Sequence, residues 1–135
     1  MNIAISLTGG KKVAATFPDG LQLVTDQPVE QGGEGSAPSP FACFLGAIGT
    51  CAGFYVLEFC TARNIPTAGI SLDQTVEFEQ DDQGKRRPSR VTITVNLPPS
   101  FPEKYRDAVV RAANLCTVKK ALLTPPEFSL DFRVA

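Results

Sequence analysis

The sequence contains no histidine and no tryptophan. Without imidazole there is no Ser-His-Asp triad, no Cys-His pair and no two-histidine metal motif. A second copy of the same chain would not supply one. Any nucleophile must therefore be activated by something other than imidazole. Excess charge is lacking too. Thirteen basic residues against fourteen acidic ones leave a formal charge of −1. That balance gives no footprint for a nucleic-acid or anionic-membrane partner. The one basic cluster, Lys85-Arg86-Arg87, follows Asp81-Asp82 and reads as a solvated loop. The opening residues, Met1 to Ile5, lack the basic and apolar regions of a signal peptide. The expected compartment is therefore the cytoplasm, where thiols stay reduced.

With 135 residues, 43% hydrophobic and 20% charged, the composition is that of one globular domain, residues 1–135. Ile3, Ile5 and Leu7 alternate with polar or small residues, as in a strand with one buried face. Thr8-Gly9-Gly10 breaks that run. Val13, Ala15 and Phe17 form a second strand, Pro18-Asp19-Gly20 a turn, and Leu21 and Leu23 begin a third strand. A loop rich in Gly, Pro and Ser covers residues 26–39. Ser39 is placed to cap a helix that starts at Pro40 and runs to about Arg63. Two strands follow, one through Ile70, Leu72, Val76 and Phe78, the other through Val91, Ile93, Val95 and Leu97. Asp81 to Gly84 turns the chain between them. A second helix begins near Pro102, breaks near Asn114, resumes to Leu123 and stops at Pro125-Pro126. Phe128, Leu130, Phe132 and Val134 suggest a last strand. The order βββ-α-ββ-α-β defines an α+β fold with antiparallel sheets.

Pro40 to Leu57 is a stretch of eighteen residues without a charge, a marginal length for a membrane span. Its glycines and the alternating strands on both sides point instead to a buried central helix, apolar all round. A small monomer cannot easily surround such a helix. Gly46-x-x-x-Thr50 and Gly49-x-x-x-Gly53 would let two of these helices approach, so a homodimer is expected.

Cys43, Cys51 and Cys60 all fall on this helix. Cys43 to Cys51 is ~12 Å along the axis and Cys51 to Cys60 ~13.5 Å, at 1.5 Å per residue. A disulfide needs Cα atoms within ~7 Å, so any intrachain bridge must use Cys116. The spacing also fits no structural zinc pattern. Cys43 and Cys60 read as small core residues. Cys51 is set apart by its neighbours Gly49, Thr50, Ala52 and Gly53, which leave its sulfur little covered. Cys116 lies where a new helical stretch begins beside Lys119 and Lys120, a setting that favours thiolate.

The run from Gly32 to Pro40, followed by Leu45 to Cys51, resembles the OsmC/Ohr family of osmotically inducible and organic hydroperoxide resistance proteins. The tail Cys116-Thr117-Val118-Lys119-Lys120-Ala121-Leu122 looks like that family's second cysteine motif. The resemblance implies an intertwined homodimer with active sites at the subunit interface. It implies a thiol-dependent peroxidase, active in oxidative stress defence, that reduces organic hydroperoxides with no haem, flavin or metal cofactor. Cys51 matches the peroxidatic cysteine and Cys116 the resolving one, with a dithiol reductant reopening their disulfide. The family's peroxidases hold the thiolate with an arginine after a Thr-Gly-Gly stretch. Here Thr8-Gly9-Gly10 is followed by Lys11, which keeps the charge but not the bidentate fork, and Lys12 is an alternative. Their glutamate stands ten residues before the first cysteine, where this chain has Phe41. Glu34 and Glu58 are the acids at hand. For a bulky substrate, Phe41, Phe44 and Tyr55 would form apolar walls. The alternative reading is a binding protein on the same scaffold, holding an apolar ligand or an electrophile without efficient turnover.

Overall fold

The computed structural model describes residues 1–134, and these form an α+β protein with two antiparallel sheets and three α-helices. The chain divides into two compact units, Met1–Ala47 and Ile48–Ala135.

The first unit is a meander of β1 (Ala4–Gly9), β2 (Lys12–Thr16) and β3 (Gln22–Thr25). Ile5 pairs with Ala15 and Leu7 with Val13, and a bulge follows Leu7. Gly9 and Gly10, both at positive φ, make the tight turn that carries Lys11. At the next turn Asp19 Oδ1 accepts the Leu21 N–H at 3.1 Å and Gly20 takes φ +86°. The alternation in β1 is real, yet all six of its residues are exposed. The expected buried face is absent because nothing in this unit covers it.

The polar loop after β3 is organised by one carboxylate. Asp26 is buried. Its Oδ2 accepts the Ser36 hydroxyl at 2.7 Å and the backbone N–H groups of Ser36 and Glu34, and its Oδ1 accepts the Gln27 N–H. These bonds to the charged form pull its pKa down to about 2, the Ser36 hydroxyl first among them. Gly33 is obligatory here, because a Cβ would lie 1.9 Å from the Gln27 carbonyl oxygen. Ser39 then caps the next helix, its Oγ accepting the Ala42 N–H at 3.2 Å.

That helix, α1 (Pro40–Ala62), has the length and apolarity of a membrane span. Its buried residues are Ile48, Ala52, Val56, Phe59 and Cys60, a single stripe at helical spacing. It is therefore buried on one side and not all round. Phe41, Phe54 and Leu57 each remain about half exposed. Two of the glycines face the chain's own strand β4. A Cβ on Gly49 would meet Gln74 at 2.7 Å, and one on Gly53 would lie 3.9 Å from Leu72. At Gly49 the missing side chain leaves room for Gln74 of the chain's own strand β4, while at Gly53 a Cβ would make an ordinary contact.

In the second unit β4 (Ser71–Gln80) pairs with β5 (Arg86–Asn96) as a long hairpin. Asp81 Oδ1 accepts the N–H groups of Gln83 and Lys85 and shapes the turn. Helices α2 (Arg106–Ala113) and α3 (Thr117–Leu123) follow, separated at Asn114–Cys116 where the sequence suggests a break. Val56, Phe59, Cys60, Ile65, Phe101 and Val109 form the core, with Leu72, Val95 and Tyr105 packed against it. Arg63 closes the end of α1 by stacking its guanidinium 3.7 Å above the Phe59 ring and donating to the Phe59 carbonyl.

The expected last strand does not form. Residues 125–134 have no regular structure, and Phe128, Leu130, Phe132 and Val134 are over 80% exposed. Alternation prepares a segment for a sheet, but a strand also needs a neighbour for its backbone groups. This one has no neighbour within the chain among the described residues.

Because the folded pKa of Asp26 lies below the ordinary value, its contribution is complete above pH ~4 and is lost as pH falls through that range toward 2. The urea midpoint should therefore fall over that window. Asp26→Asn should lower the midpoint at pH 7 and flatten the acid slope.

Candidate functional site

Two elements of the second unit bring the site together. Cys51 lies in the middle of α1, half-buried, next to small neighbours. Cys116 is the N-cap residue of α3 and is buried. Both are free thiols. Cys116 Sγ accepts the Lys119 N–H at 3.3 Å, a sulfur taking the place of the usual capping oxygen. The same sulfur lies 3.7 Å from the Ile48 carbonyl of α1, to which its S–H can donate. The cap thereby fastens the start of α3 to α1 one turn before Cys51.

Thr117, the first residue of α3, is carried to Cys51 by this arrangement. Its Oγ1 lies 3.4 Å from Cys51 Sγ. The Cys51 pKa is drawn down to about 7, foremost by the Thr117 hydroxyl, then by the Val118 N–H, with further help from the Cys116 thiol and the Thr117 N–H. Partial burial pulls the other way and loses. The favoured thiolate is thus surrounded by neutral donors. Cys60, by contrast, has its pKa raised, because burial outweighs the nearby Arg63.

The sequence-based candidates separate accordingly. Cys51 and Cys116 come together, and the Cys116 thiol is among the groups that lower the Cys51 pKa. The start of α3 favours a thiolate across the contact, at Cys51. Tyr55 lies one helical turn beyond Cys51, edge-on to Phe54 with ring centroids 5.4 Å apart. Phe41 and Phe44 belong to the first unit, where their rings are 5.5 Å apart. Lys11 sits exposed in the β1–β2 turn of that unit. Lys12 is ion-paired with Glu34 at 2.5 Å, and that carboxylate raises its pKa. Glu58 is exposed on α1.

Two features escaped the sequence reading. One is Thr117, which stands within the quoted motif but acquires its role only when α3 meets α1. The other is a cavity of about 290 Å³ whose walls include Ile48, Ala52, Ile93, Val95, Val110 and Cys116, with Arg111 and Lys119 also on its lining. The alternation of β5 could have signalled its apolar wall, but not its emptiness. Among the described residues no group of three His, Cys, Asp or Glu could hold a metal ion.

A family model described as OsmC-like protein matches residues 33–131, and the chain belongs to that family. Solved structures agree on the fold. An osmotic stress induced and detoxification response protein from Psychrobacter arcticus is 21% identical, with 90% of this chain and 87% of that one covered and a TM-score of 0.73. An organic hydroperoxide resistance protein from Legionella pneumophila is 20% identical, with coverages of 90% and 89% and a TM-score of 0.61. The organic hydroperoxide resistance protein OhrB of Bacillus subtilis is 21% identical, with 90% of each chain covered and a TM-score of 0.57. No curated protein matches the chain in sequence.

Alkylation of Cys51 by iodoacetamide should rise with an inflection near pH 7. Cys60 should remain slow at that pH. Peptide mapping of the alkylated protein separates the sites.

Proposed function

We propose that this protein is a thiol-dependent peroxidase that reduces organic hydroperoxides. The observation that carries the reading is the Cys51 sulfur, its pKa drawn down to about 7, with the Cys116 thiol as a neighbour. In the proposed cycle the Cys51 thiolate attacks the terminal peroxide oxygen. An S–O bond forms, the O–O bond breaks, and the departing alkoxide takes a proton from water to leave as the alcohol. Cys51 is then a sulfenic acid. The Cys116 thiol attacks that sulfur, releasing water and forming the Cys51–Cys116 disulfide. An external dithiol returns both thiols by exchange.

The reading includes a homodimer. An apolar tail, an uncovered β1 and one side of α1 are more apolar surface than a stable monomer normally leaves in water. The active sites would lie at the subunit interface, with Lys11 as the cation held near the thiolate, since Lys12 is already engaged by Glu34. Phe41, Phe44 and Tyr55 would offer apolar surface to the substrate. The cytoplasm, where a dithiol reductant is at hand, is the proposed compartment.

The cavity beside Cys116 favours a second reading, an OsmC-like binding protein that holds an apolar ligand without efficient turnover. The two readings part at Cys51. For a peroxidase, cumene hydroperoxide is consumed with a dithiol present. Cys51→Ser reduces consumption to background, and Cys116→Ser leaves a sulfenic acid that dimedone traps. For a binding protein no peroxide is consumed and Cys51→Ser leaves ligand affinity unchanged. The dimer is checked by sedimentation. The expected species has twice the chain mass at micromolar concentration, and a monomer there removes that part of the proposal.

A further inference from the structure

The sequence offers lysines as activators of Cys51, yet the described surroundings of its sulfur in this unit are neutral. The Thr117 side-chain oxygen lies 3.4 Å from it. We propose that Thr117 is a catalytic residue, whose hydroxyl donates to Cys51 Sγ and holds it as a thiolate ready to attack. The inference rests on the reading of Cys51 as the nucleophile and deepens it.

The protonation states decide the direction of the bond. With Cys51 as a thiol, either sulfur or oxygen can donate, so the contact exists but favours neither form strongly. Once the thiol gives its proton to water, sulfur can only accept. Thr117 must then donate, and the bond becomes charge-assisted, roughly twice as strong as a neutral one. The gain on ionisation is the difference between the two, and it favours the thiolate.

The position of Thr117 suits this task. It follows the cap residue directly, and the Cys116 sulfur is fixed on both sides, to the Lys119 N–H and toward the Ile48 carbonyl. Thr117 therefore inherits a placement set by two elements. Its β-branched side chain has few rotamers to lose, so the hydroxyl is held with little freedom. The Thr117 side chain is exposed, so it contributes little to the core. A substitution there tests chemistry and not folding.

The experiment is the pH profile of Cys51 alkylation in wild type, Thr117→Val, Thr117→Ala and Thr117→Ser. Melting curves establish that each variant folds. Removing the hydroxyl should raise the inflection by about one unit, so alkylation below neutral pH slows about tenfold. The plateau above pH ~9, the ordinary range of a free thiol, should be unchanged. Serine keeps the donor and should titrate close to wild type. A low wild-type inflection that Val and Ala leave in place overturns the assignment of Thr117 and leaves Cys51 as nucleophile. A wild-type Cys51 that titrates like an ordinary thiol overturns both. A shifted profile in a protein that consumes no hydroperoxide supports the role of Thr117 and removes only the peroxidase.

Discussion

A sulfur atom caps α3, and the candidate chemistry depends on that cap. The first turn of any helix leaves backbone N–H groups without partners, and a side-chain oxygen usually meets them. Here Cys116 meets one, through Lys119, while the same sulfur lies 3.7 Å from the Ile48 carbonyl of α1. One atom therefore closes a helix and docks it. The docking brings the start of that first turn to Cys51, whose pKa the Thr117 hydroxyl and the Val118 N–H lower. A serine in the same place would cap the helix as well. It could not also form a bond to Cys51 under oxidation. Cysteine at this position joins a structural duty to a chemical one.

The architecture was largely legible because its signals are local. Pro18-Asp19-Gly20, Asp81 to Gly84, Ser39 before Pro40 and the break near Asn114 each specify backbone geometry through residues close in sequence. Other signals specify only half of a contact. The alternation of Phe128, Leu130, Phe132 and Val134 defines a face but names no partner strand, and within the chain none is present among the described residues. The spacing of Gly49 and Gly53 announces a close approach without saying to what, and at Gly49 it is Gln74 of the chain's own β4 that comes close. Thr117 is the same problem at the scale of one hydroxyl. Nothing in its neighbours along the chain reports that a cysteine 66 positions away will lie beside it.

The cysteines divide by environment more clearly than by sequence. Cys51 and Cys60 stand on one helix, nine residues apart, and burial works against ionisation at both. At Cys60 it prevails, with a guanidinium nearby as the only counterweight. At Cys51 a set of aligned neutral dipoles overcomes it. The leading donor there is the Thr117 hydroxyl, 3.4 Å from the sulfur. That is one physical route by which a chain without histidine can activate a thiol.

The loop after β3 has a further consequence. Its composition is that of a linker, but Asp26 binds it to itself through the backbone of Gln27, Glu34 and Ser36. Backbone donors are present whatever side chain a residue carries. Most positions between 27 and 35 could therefore drift in sequence while the path of the chain stayed the same. The positions that cannot drift freely are the acceptor itself, the Ser36 hydroxyl, Gly33 with its missing side chain, and Gly32 and Gly35 at positive φ. An insertion or deletion would be felt at once, because it would move every donor away from the one carboxylate. The segment is permissive in spelling and strict in length.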